Sequence, residues 1–104
     1  MGDVRSPDIA DDLAAARRIV LAGLGTQHAR VFLFGSRARG NARPNSDIDI
    51  AVLADAPLEA STLANIREAL EESTIPYVVE VVDLATADKS FREHAMVGAV
   101  PWND

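Results

Sequence analysis

Apolar residues recur at Ile9, Leu13, Ala16, Val20 and Leu24, three or four positions apart, which is the spacing of one helix face. Just ahead of them, Ser6, Pro7 and Asp8 supply an N-cap oxygen, a proline at the first helical position and an acid facing the positive end of the helix dipole. The helix is therefore expected to start there. The period then changes. Residues 30–34 read as a short strand closed by Gly35 and Ser36, and a polar stretch runs to Ser46. Beyond it, Asp47, Asp49, Ala51 and Leu53 alternate with Ile48, Ile50 and Val52, the two-residue period of a strand.

Asp55, Ala56 and Pro57 mark a turn or a helix start. Leu58 or Ser61 then leads into a helix whose Leu63, Ile66 and Leu70 share a face, ending near residues 73–76. Residues 77–84 are rich enough in β-branched side chains to form a third strand. Thr86 is placed to cap a last helix from about Asp88 to Val97, with Gly98 and Pro101 as stop signals. This order of elements predicts an α/β fold, a small mixed β-sheet flanked by helices. About a dozen residues join the first two strands, too few for a full crossover helix, so that pair is expected to be antiparallel. The last two strands flank a full helix and are expected to be parallel.

Length and charge narrow the function. At 104 residues the chain is expected to be one domain, 1–104. Ten Lys and Arg against sixteen Asp and Glu give a net charge of -6, which argues against a surface built to coat duplex nucleic acid or an anionic membrane. Any phosphate binding must be local. There is no cysteine, which excludes disulfides, thiolate zinc sites and a cysteine nucleophile. The apolar runs fall far short of the ~18 residues a membrane span requires, and the N-terminus is too acidic for a signal peptide, so the cytoplasm is the expected compartment.

The chemistry concentrates between residues 34 and 49. Phe34-Gly35-Ser36-Arg37-Ala38-Arg39-Gly40 places two glycines, a hydroxyl and two arginines directly after a strand. In such a turn, backbone N–H groups can approach an anion and a following helical turn aims its N-terminus at it. Arg37, Arg39 and Arg43 are three of nine arginines, gathered within seven positions of an acidic chain. Taken alone, the segment reads equally well as a glycine turn with solvated arginines. Asp47 and Asp49 alter that balance. Two apart in a strand, both carboxylates leave the same face, about 6 Å apart at the backbone. Ionised at about 5 Å and an effective dielectric near 20, they repel by ~3 kcal/mol, a conflict that a divalent cation resolves.

Gly35-Ser36, a short gap, and then Asp47-Ile48-Asp49 resemble the signature of the nucleotidyltransferases related to DNA polymerase β. The F-G-S-R-A-R-G and S-D-I-D-I-A-V segments, together with the chain length, look most like the minimal nucleotidyltransferase domains paired with HEPN ribonuclease toxins. The resemblance implies a nucleotidyltransferase fold like the polymerase β palm. It further implies that Gly35 and Ser36 hold nucleotide phosphates, with Arg37, Arg39 and Ser46 around them, and that Asp47 and Asp49 bind two Mg²⁺ ions, for which Mn²⁺ can substitute. A third acid on the neighbouring strand completes the set. The family pattern has Asp at that place and this chain has Glu80, one methylene longer, which loosens the geometry magnesium demands. Asp83 lies on the opposite strand face, where a role at the strand end before the last helix suits it better.

Other candidates are weak. His28 and His94 have no second ligand spaced to share a zinc ion. Tyr77, Phe91 and Trp102 are too scattered for a base-stacking platform and suit core or interface roles. Arg67, Glu68, Glu71 and Glu72 read as a solvated helix face.

The function so implied is Mg²⁺-dependent transfer of a nucleoside monophosphate, AMP from ATP, to a hydroxyl, with Asp47, Asp49 and Glu80 as catalytic acids. The implied acceptor is a tyrosine of a HEPN toxin partner, which would make this chain the antitoxin of a hetero-oligomer, homo-oligomerisation being left open. Two competitors stand beside it. One is a catalytically weak antitoxin that acts by occluding its partner. The other, transfer to an RNA end or an antibiotic hydroxyl, lacks a basic groove or an added pocket to support it.

Overall fold

The computed structural model describes residues 9–103. Its elements are α1 (Ile9–Leu24), β1 (Ala29–Phe34), α2 (Ser36–Arg39), β2 (Ile48–Ala54), α3 (Ala60–Glu71), β3 (Val79–Asp83), α4 (Lys89–Met96) and β4 (Val100–Pro101). The four strands form one sheet in the order β3-β2-β1-β4. β1 pairs antiparallel with both β2 and β4, and β2 pairs parallel with β3, so the sheet is mixed, as the lengths of the connections required. The expected helix start at Ser6, Pro7 and Asp8 lies outside the described residues.

Strand alternation gives the sheet two apolar faces. On one, Val31, Leu33, Ile48, Ile50, Val52 and Val81 meet Ala16, Val20 and Leu24 of α1 and Ile66 and Leu70 of α3. The two helices approach closely: a Cβ on Gly23 would collide with the Ile66 side chain. On the other face, Phe32, Phe34 and Ala51 pack with Leu84 and with Ala95 of α4. β2, near the centre of the sheet, is therefore buried through its middle, while Asp49 near its start and Leu53 and Ala54 at its end are partly exposed.

Three expectations are corrected. The third strand spans Val79–Asp83 rather than 77–84, leaving Tyr77 and Val78 outside the ladder. Asp88, not Thr86, caps the last helix: its Oδ1 accepts from Phe91 N at 2.7 Å, because the residue immediately before the helix reaches the third amide directly. Thr86 instead donates its hydroxyl to the Asp83 carbonyl at 3.1 Å. Last, Pro101 does not merely stop a helix but belongs to a fourth strand, opposite Phe32. Proline fits there because β4 is at the sheet edge and the next amide, Trp102 N, donates to Val31 O at 2.7 Å. Asn103 extends the pairing with its side chain, accepting from Val31 N and donating to Ala29 O, each at 2.8 Å.

Candidate active site

The sheet register assembles the site. Phe34, the last residue of β1, lies opposite Asp49, and Asp49 lies beside Glu80 in β3. The chain turns at Gly35 exactly where this row ends, so the glycine-serine turn and the acids share one end of the sheet. Gly35 has φ +77°, a conformation that favours glycine, and a Cβ there would strike the Asp49 Oδ2. The requirement for glycine is thus set by the carboxylate as much as by the turn. From Ser36 the backbone enters α2, a single helical turn that ends on Gly40 in the left-handed conformation.

Asp49 is half-buried, whereas Asp47 and Glu80 are exposed. Burial raises the Asp49 carboxyl above its ordinary range, and the neighbouring Glu80 and Asp47 raise it further, while Arg39 opposes them. Three acids therefore crowd one patch, with one arginine as partial counter-charge.

The polar loop residues divide into two groups. Arg39 is exposed and faces Asp49 electrostatically. Arg37 is committed to the protein itself. It donates to Ser46 O from Nε at 3.3 Å and from Nη2 at 2.8 Å, donates to Pro44 O at 3.3 Å, and lies 4.8 Å from the Tyr77 ring centroid. Ser46 closes a turn with Arg43: its Oγ accepts from Arg43 N at 2.8 Å, and its amide donates to Arg43 O at 3.0 Å. Arg37 and Ser46 thus help to shape the loop that delivers Asp47. Arg43 is exposed in that loop.

Asp83 points into the opposite face and is buried, accepting from Leu58 N at 2.9 Å and Ala85 N at 3.0 Å. It fastens the approach to α3 and the exit of β3, which separates it from the acid row. His28 and His94 are exposed and stand outside the row, as expected. Arg67 is more than a solvated charge: its Nη2 donates to Val81 O on the outer edge of β3 at 2.9 Å. Two residues of the site region were not singled out by the sequence as site residues. Tyr77 is the platform under Arg37, and Phe91 packs edge-on to Phe34 at 6.2 Å between ring centroids. Neither carries a local pattern that reveals its partner.

Among the described residues, no group of three His, Cys, Asp or Glu side chains is disposed to hold a metal ion unaided. The donor set nevertheless suits magnesium, which takes one or two carboxylates and completes its shell with water and substrate phosphate oxygens. The like charges of Asp47, Asp49 and Glu80, which repel one another, fit such a shared site better than a closed protein cage.

A glycine-serine turn thus abuts a row of acids at one end of a mixed sheet, an arrangement chemically suited to nucleotidyl transfer. The family model described as Polymerase beta, Nucleotidyltransferase matches residues 26–100, and the chain belongs to that family. Among its relatives, the Probable protein adenylyltransferase MntA of Haemophilus influenzae is 35% identical over 86 residues, which is 83% of this chain and 75% of that protein. A solved minimal nucleotidyltransferase superposes with a TM-score of 0.67 at 30% identity, covering 96% of this chain and 99% of the other. A crystal structure of a toxin-antitoxin with AMP-PNP gives a TM-score of 0.66 at 27% identity, covering 84% and 72%. No helix among the described residues is long and apolar enough to cross a membrane.

Proposed function

We propose that the chain transfers AMP from ATP to a tyrosine hydroxyl of a HEPN-type toxin and thereby serves as its antitoxin. The observation that carries this reading is the register Phe34, Asp49, Glu80, with Gly35 making its turn against the Asp49 carboxylate. The adenylyltransferase named as a relative and the AMP-PNP complex among the structural neighbours support the choice of nucleotide and partner.

The acceptor hydroxyl attacks the α-phosphorus, and pyrophosphate leaves. Asp47 and Asp49 would hold two Mg²⁺ ions between them, and Glu80 the one nearer the acceptor. The ions supply charge neutralisation on the phosphates and a more acidic acceptor hydroxyl. Ser36 and the turn into α2 orient the leaving phosphates, and Arg39 adds positive charge near Asp49. No covalent intermediate on the chain is required, so most of the rate comes from positioning and electrostatics.

Glu80 in place of the family's Asp favours a second reading, neutralisation by occlusion. Incubating the chain and its toxin partner with labelled ATP and Mg²⁺ separates the two. Label on a partner tyrosine that disappears with Asp49→Asn supports the transferase. Full neutralisation by Asp49→Asn with no label transferred by either form supports occlusion.

A further inference from the structure

We infer that Arg37 and Tyr77 form a clamp that positions Asp47 and Glu80 against the phosphate turn, an inference that deepens the transferase reading and rests on it. Each group of the site comes from a different segment. Ser36 opens α2, Asp47 ends the loop after α2, and Glu80 is in β3. Arg37 belongs to the first, grips the second and lies over a residue that leads into the third. It follows Ser36 directly in the chain, and its backbone is part of α2. The Ser46 carbonyl that it grips with two N–H groups belongs to the peptide unit joining Ser46 to Asp47. Its flat face lies over Tyr77, three residues before Glu80.

Geometry accounts for the choice of arginine. A planar fork can donate along its edge to Ser46 O and Pro44 O while its face stacks on a ring, which a lysine ammonium cannot do. The chain's neighbouring arginine, Arg39, makes no such set of loop contacts and sits beside Asp49 instead. The backbone adds a second tie in the same place, Ile48 N donating to Val78 O at 2.9 Å, so the clamp closes the open end of the β2/β3 pair just before the acids. Arg37 is thus a positioning residue. It acts on the reaction through Asp47 and Glu80 and is not a ligand of the nucleotide.

The test uses the full chain with its toxin partner and labelled ATP, comparing Arg37→Ala, Arg37→Lys, Tyr77→Leu and Tyr77→Phe. Displaced reacting groups cost up to about 100-fold in rate. Arg37→Ala and Arg37→Lys are expected to lower kcat at least about tenfold while the KM for ATP changes less than about threefold. Tyr77→Leu falls in the same direction, and Tyr77→Phe, which keeps the ring, restores the rate to within about twofold of the parent. A Arg37→Lys variant whose ATP KM rises tenfold with kcat intact would make Arg37 a phosphate ligand and overturn the clamp.

A second readout does not depend on activity. Tyr77 is the chain's single tyrosine, so 3-fluorotyrosine labelling yields one ¹⁹F resonance. Arg37→Lys is expected to move that resonance and to speed amide exchange across residues 41–48, in a chain that still melts cooperatively. An unmoved resonance with unchanged exchange overturns the clamp. Loss of transfer in the unsubstituted chain, by contrast, would count against the transferase reading and leave these two signals to judge the clamp. Should Arg37→Ala fail to fold, Arg37→Lys and Tyr77→Leu carry the same comparison.

Discussion

Gly35 and Asp49 constrain each other. A side chain at Gly35 would meet both an unfavourable φ of +77° and the Asp49 carboxylate, so Gly35→Ala is expected to cost about 1–3 kcal/mol in stability and to abolish nucleotide binding. Urea unfolding and nucleotide titration of that variant check both effects. Asp49 should behave in the opposite sense. Its folded-state value is raised above 3.8 by burial, Glu80 and Asp47, so the folded chain holds the proton more tightly than the unfolded chain does. Stability contributed at low pH is then lost as pH rises from about 3.8 through the raised value, and metal-free protein at neutral pH carries the full penalty. Asp49→Asn is therefore expected to raise the Tm of the metal-free protein by a few degrees at pH 7 and by less near pH 4, while eliminating transfer. A lower Tm at pH 7 would contradict this electrostatic account. The turn and the paired acids were legible in the sequence because both are local patterns, a glycine after a strand and two acids at strand spacing. The contacts of Arg37 were not legible: the sequence displays its charge but not Ser46 O or the Tyr77 ring that it meets.

Elements were readable wherever a full apolar period ran through them. α1, β1, β2 and α3 emerged close to their observed positions, and the lengths of the connections supplied the mixed pairing. β4 escaped because it has two residues, one of them proline, and because much of its hold on β1 comes from an amide side chain standing in for a strand. Asn103→Ala removes two hydrogen bonds to that edge and should cost about 1–2 kcal/mol, seen as a lower urea midpoint with little change in slope. Asp83 is the counterpart on the other side of the sheet. Asp83→Ala leaves the buried Leu58 amide without its acceptor and is expected to cost about 1–3 kcal/mol, whereas Asp83→Asn retains a carbonyl oxygen for it and should cost less. Equal losses for the two variants would contradict that assignment.

At the scale of the whole molecule, the acids of one sheet end are mutually unfavourable, and under the proposed function nucleotide and dications arriving together would relieve that repulsion. With a charge of -6, the phosphate binding proposed for the chain would rest on this local arrangement rather than on a general affinity for polyanions. The most direct measurement is a calorimetric titration of Mn²⁺ into the chain in the presence of a nonhydrolysable ATP analogue, with Asp49→Asn alongside. The account predicts saturable uptake of the metal that requires the analogue and vanishes in the variant. Uptake that is absent from the unsubstituted chain, or identical in both proteins, would contradict it.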